Sequence, residues 1–138
     1  MNKVNCILLI DDNKDDNYFH TIAINEAKAA SEVKVATTGQ MALDYLLKAR
    51  TNSMQYPSPD LIFLDINMPG MNGFEFLEEA VKLNLLQGEK TIVITMLTSS
   101  LNPGDEKQAR DQFSREIKSF RNKPLTAPML RQILEEYF

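Results

Sequence analysis

The chain has 138 residues, 43% of them apolar and 25% charged, with a formal net charge of −4. That length suits one hydrophobic core, expected as a single domain over 1–138 with no output domain, and the composition excludes wholesale disorder. Mild acidity and the absence of a Lys/Arg cluster exclude the footprint of a direct nucleic-acid binder.

The apolar run Cys6–Ile10 (CILLI) reads as a first strand and stops at Asp11-Asp12. It is too short for a membrane span and lacks a signal-peptide cleavage pattern, so a cytoplasmic location is expected. Cys6, the sole cysteine, reads as a small buried hydrophobe. Asn17 to Ala30 places Phe19, Ile22, Ala23, Glu26, Ala27 and Ala30 at helical spacing. Val33–Ala36 is a weaker second strand. Met41, Leu43, Leu46 and Leu47, after Gly39, mark a second helix. Ala49 to Pro59 is polar, carries Pro57 and Pro59, and reads as a long surface loop. Leu61–Leu64 (LIFL) is the third strand and stops at Asp65. Phe74, Phe76, Leu77, Ala80 and Val81 mark the third helix. Ile92–Leu97 (IVITML), the fourth strand, stops at Thr98. Asp105 to Phe113 follows Pro103-Gly104 as a weaker fourth helix. Ile117–Phe120 is a more exposed fifth strand, and Met129 to Tyr137 closes the chain with Leu130, Ile133 and Leu134 on one face.

Strand and helix alternate five times, which implies right-handed βα units and a parallel sheet covered on both faces. Five strands are too few for an eight-fold barrel, so the expected fold is α/β, an open doubly wound five-stranded parallel sheet flanked by five helices.

Ligands of such sheets bind beyond the carboxyl ends of the strands. That rule selects Asp11 and Asp12, Asp65, Thr98 and Lys123: three carboxylates, a hydroxyl and an ammonium at one edge. Crowded carboxylates need a proton or a cation, and oxygen ligands without histidine or cysteine suit Mg²⁺. A carboxylate can act as nucleophile and form an aspartyl phosphate, while Mg²⁺ and a lysine neutralise the phosphoryl group. Each residue also has an ordinary role. Asp11 and Asp12 suit a helix cap, Asp65 a turn with Pro69-Gly70, Thr98 a cap, and Lys123 a solvated charge. Those roles together require five coincidences at one sheet edge.

The segment LIFLDINMPGMNGFEFL (Leu61–Leu77), with LLIDDN (Leu8–Asn13), MLTSS (Met96–Ser100) and Lys123-Pro124, resembles the receiver domain of two-component response regulators, of the single-domain type. The resemblance implies a flavodoxin-like receiver fold with Asp65 as the phosphorylated residue. It also implies Mg²⁺ ligated by Asp12 and Asp65, by Asp11 through water, and by the backbone carbonyl of Asn67. Lys123 and Thr98 would contact the phosphoryl group, Phe120 would be the switch aromatic, and the Lys123-Pro124 bond would be cis. The implied donor is a histidine kinase or a histidine phosphotransfer protein. The implied output is a protein partner, or a second copy of the chain, on the face formed by the fourth helix, fifth strand and fifth helix, with no nucleic acid and no membrane. The segment before Phe120 lacks the family's Gly-Ala pair, so an irregular edge is expected there, and Phe120, having no hydroxyl, must switch by packing alone.

A haloacid-dehalogenase-type phosphatase needs a second aspartate two residues after its nucleophile, where this chain has Asn67. A product-releasing catalyst is therefore not expected, and the resemblance implies a chain that promotes its own phosphorylation and dephosphorylation without turning over a separate substrate. A nucleotide or flavin module needs a glycine- or hydroxyl-rich loop after the first strand, and Asp11 to Asp16 would repel phosphate. A receiver-like scaffold that is never phosphorylated is a third reading. His20 reads as an ordinary helix residue, Asp15 and Asp16 as charges favouring a helix N-terminus, and Met68 as packing.

Overall fold

Strands apolar at every position need cover on both faces. In the computed structural model, which describes residues 3–88, 90–99 and 102–138, the chain forms one five-stranded parallel sheet in the order β2-β1-β3-β4-β5. The strands are β1 (Val4–Ile10), β2 (Ala30–Ala36), β3 (Leu61–Leu64), β4 (Val93–Thr98) and β5 (Ile117–Asn122). The wholly buried β3 and β4 lie inside the sheet, and the half-exposed β2 and β5 are its edges. The helices are α1 (Lys14–Glu26), α2 (Gly39–Thr51), α3 (Gly73–Lys82), α4 (Pro103–Phe113) and α5 (Ala127–Tyr137). Ser100, the last residue of the MLTSS motif, lies outside the described residues.

Successive strand residues point to opposite faces, and the core divides accordingly. On one face Leu8, Ile10, Ile62, Leu64, Ile94 and Met96 pack with residues of α2, α3 and α4. There the rings of Phe74 and Phe113 stack at 5.9 Å. On the other face Ile7, Leu9, Leu61, Phe63, Val93 and Leu97 meet Ile24 of α1 and Leu130, Ile133 and Leu134 of α5.

The strand order reverses between β1 and β3, and in open α/β sheets such a reversal opens a crevice at the carboxyl ends. Ile10 pairs with Leu64, so Asp11 and Asp65 emerge side by side, and the Asp65 N–H donates to the Ile10 carbonyl at 2.9 Å.

Some boundaries differ from the sequence reading. Helix α1 begins at Lys14 and ends at Glu26, and Ala30 opens β2 instead of closing the helix. The stop is made by Lys28 at φ 53°, a left-handed conformation usually given to glycine or asparagine. Residues 49–51 belong to α2, which shortens the following loop. Strand β4 takes in Thr98, and β5 runs past Phe120 to Asn122. The β4–β5 ladder shifts register between Ile94 and Thr95.

Candidate phosphoacceptor site

The first acidic pair is free for chemistry because Asn13 caps α1. Its Oδ1 accepts the Asp16 N–H at 3.0 Å, the usual use of a short polar side chain at that position. Asp11, 5% exposed, accepts the Asn13 N–H on Oδ1 at 2.9 Å, and Asp12 is exposed beside it. Asp15 and Asp16 fall in the first turn, where negative charge suits the helix dipole.

Asp65 lies directly after β3 and is 7% exposed. A turn containing Gly70 at φ +78° follows, and α3 then starts close beneath. Its first residue must be glycine: a Cβ on Gly73 would stand 2.5 Å from the Asp65 carbonyl oxygen, and the Gly73 N–H instead donates to Ile66 at 2.8 Å. Asn72 and Glu75 close a reciprocal cap that fixes this helix end.

Lys123 follows β5, and its N–H donates to the Thr98 carbonyl at 2.7 Å, which ties the fifth strand's exit to the fourth's. Its side chain is 11% exposed, with Nζ 2.7 Å from Asp11 Oδ2, 2.8 Å from Asp16 Oδ2 and 3.6 Å from Asp65 Oδ1. The Lys123-Pro124 bond is cis.

Burial and the neighbouring Asp11 charge push the Asp65 carboxyl from 3.8 up to about 6, against the pull of Lys123. Burial works against the Lys123 ammonium, yet its bonds to Asp11 and Asp16 and the charge of Asp65 hold it above the ordinary lysine range. One ligand atom from each of Asp11, Asp12 and Asp65 lies within 4.8 Å of the others. An all-oxygen cluster of this charge, with one ammonium at its rim, fits a hard divalent cation such as Mg²⁺.

The structure thus brings Asp11, Asp12, Asp65, Thr98 and Lys123 to one sheet edge. Thr98 is 1% exposed. Asn67 is exposed in the loop after Asp65, and Met68, 7% exposed, packs into the core. Phe120 sits mid-strand in β5, partly buried against the core, and lines a pocket of about 180 Å³ with Ala109, Arg110 and Ile117. His20 is buried in α1, and burial lowers its pKa below 6.5.

Two participants escape the sequence reading. Asp16 reaches across 107 positions to Lys123. Asn17, 6% exposed, donates from Nδ2 to the Asp11 carbonyl at 2.8 Å and so braces the acidic turn. The only hint in the sequence is helical spacing, which sets Asn13, Asp16 and Asn17 on one side of the first turn.

The family model described as the response regulator receiver domain matches residues 7–135. A two-component response regulator from Cytophaga hutchinsonii superposes with a TM-score of 0.85 at 29% identity, covering 98% of this chain and 97% of that one. The regulatory protein VanRB of Enterococcus faecalis is 33% identical over 129 residues, covering 94% of this chain and 50% of that protein. A Vibrio cholerae protein named as a probable cyclic di-GMP phosphodiesterase is 31% identical over 125 residues, covering 91% of this chain but 24% of its own length. Among the described residues no helix is long and apolar enough to cross a membrane.

Proposed function

The chain belongs to the response regulator receiver domain family and is a phosphoacceptor switch of the two-component type; from that premise we propose that Asp65 takes the phosphoryl group. The observation that carries this is a nine-tenths-buried carboxylate with an ammonium 3.6 Å away and two further carboxylates within 4.8 Å. An Asp65 oxygen attacks the phosphorus of a phosphohistidine, the phosphorus–nitrogen bond breaks, and its electron pair returns to the imidazole. Asp12, Asp65 and the Asn67 carbonyl, with Asp11 through water, would hold Mg²⁺, which would neutralise charge on the phosphoryl oxygens. Lys123 meets one phosphoryl oxygen and Thr98 donates to another. The donor is a histidine kinase or a histidine phosphotransfer protein.

Asn67 stands where a phosphatase needs a second acid/base, which favours a chain that turns over no separate substrate; membership of the receiver family favours one that promotes its own phosphorylation and dephosphorylation. Output leaves through the α4-β5-α5 face, toward a protein partner or a second copy. The pocket lined by Phe120 between α4 and β5 gives that ring room to repack as Thr98 moves. A partner then shifts the equilibrium by its differential affinity for the two states. The setting is cytoplasmic.

Incubation with acetyl phosphate and Mg²⁺ should add one acid-stable, base-labile phosphoryl group, and Asp65→Asn should abolish it. Labelling that survives in this variant moves the acceptor elsewhere.

A further inference from the structure

An ammonium has three hydrogens to place. In this site Lys123 Nζ gives two of its close contacts to Asp11 Oδ2 at 2.7 Å and Asp16 Oδ2 at 2.8 Å, and its next carboxylate contact is Asp65 Oδ1 at 3.6 Å. The two close partners differ in kind. Asp11 belongs to the three-carboxylate cluster that suits a cation, whereas Asp16 stands outside that cluster, on the first turn of α1. A divalent cation held by Asp11 draws on the charge that holds Lys123 and repels the ammonium directly. A lysine is a point charge on a flexible stem, so with one anchor weakened its position depends on the other.

We infer that Asp16 is a positioning residue for phosphoryl transfer: it anchors the Lys123 ammonium from outside the carboxylate cluster and keeps it aimed at Asp65 while Asp11 serves the cation. The anchor is itself fixed, because the Asp16 N–H is bonded to the capping oxygen of Asn13. It joins the start of α1 to the residue after β5, two segments 107 positions apart. This assignment rests on the phosphoacceptor reading and goes beyond it, since Asp16 is neither a phosphoryl contact nor one of the three clustered carboxylates. The plainer role, a negative charge favouring the helix N-terminus, is shared by Asp15 in the same turn. That shared role makes Asp15 a control.

The test is a double-mutant cycle on the labelling rate with acetyl phosphate at saturating Mg²⁺. Asp16→Ala should slow labelling roughly tenfold, the change that corresponds to ~1.4 kcal/mol in the barrier. Asp16→Asn, whose amide oxygen still accepts from Nζ, should recover part of the rate, and Asp15→Ala should label as the wild type does. In a Lys123→Ala background, Asp16→Ala should cost nothing further. A second readout uses metal-free protein labelled with ¹⁵N-lysine: the slowly exchanging Lys123 ammonium signal should be present in the wild type and lost in Asp16→Ala. Slowing that persists in the Lys123→Ala background, equal slowing in Asp15→Ala, or an unchanged ammonium signal in Asp16→Ala would each overturn the assignment. Absence of labelling in the wild type would instead overturn the phosphoacceptor reading, and the ammonium signal would still decide the anchor.

Discussion

Replacing Asp65 should make the metal-free protein more stable. The Asp65 carboxyl titrates near 3.8 when free and at about 6 in the fold, raised first by burial and then by Asp11. A raised carboxyl pKa means that the folded state disfavours the ionised form. Above pH 6 the native protein therefore carries the full penalty, and the penalty fades as pH falls from about 6 toward 3.8. At about 1.4 kcal/mol per pH unit, the gap corresponds to roughly 3 kcal/mol. Asp65→Asn keeps the shape and removes the charge, and Lys123 retains Asp11 and Asp16 as partners. We expect a gain of about 2–3 kcal/mol at pH 7.5, shrinking to under about 1 kcal/mol near pH 4.5. The assay is urea unfolding of both proteins in chelator at the two pH values. Using the difference between them cancels His20, whose lowered pKa works in the opposite sense, costing stability as pH falls below its free value of 6.5. A mutant no more stable than wild type at pH 7.5, or a difference that does not change with pH, would refute the reasoning.

Two further outcomes follow from the same geometry. Mg²⁺ should stabilise the wild type, by about 1.4 kcal/mol at ten times its dissociation constant, and should leave Asp65→Asn nearly unmoved; amide signals near Asp11, Asp12 and Asp65 should shift in the titration. An unchanged spectrum at Mg²⁺ on the order of millimolar, the scale of a site with few protein ligands, would count against the cluster as a cation site. Gly73→Ala should cost about 1–3 kcal/mol in urea unfolding, because the added methyl meets backbone 2.5 Å away that cannot rotate aside. A wild-type midpoint would show that the Asp65 loop yields freely.

The central strands were legible in the sequence because burial on both faces leaves an unbroken apolar run, as in CILLI and LIFL. The edge strand β2 was half legible: Ser31 and Glu32 face solvent, so the apolar signal starts at Val33 although the strand starts at Ala30. The first turn of α1 was missed because its residues Lys14 to Asp16 are polar, and its signal is the cap on Asn13. The end of α1 was missed because a lysine, not a glycine, takes the left-handed conformation. Strand ends were enough to gather Asp11, Asp12, Asp65, Thr98 and Lys123 at one edge. The bond from Asp16 to Lys123 was not legible, since chain distance says nothing about a helix start and a strand exit that meet only once the sheet has formed. The demand for glycine at Gly73 likewise comes from a neighbour's backbone, not from its own.

The placement of Lys123 beyond the last strand has a consequence for the order in which the molecule is made. A nascent chain that has emerged only as far as β4 already carries the three clustered carboxylates but not the ammonium at their rim. Until β5 docks, β4 is an unpaired edge and the carboxylates lack their protein counter-charge. Charge balance and sheet closure therefore arrive together, when β5 docks. A chain on the ribosome cannot complete this cluster before β5 is in place.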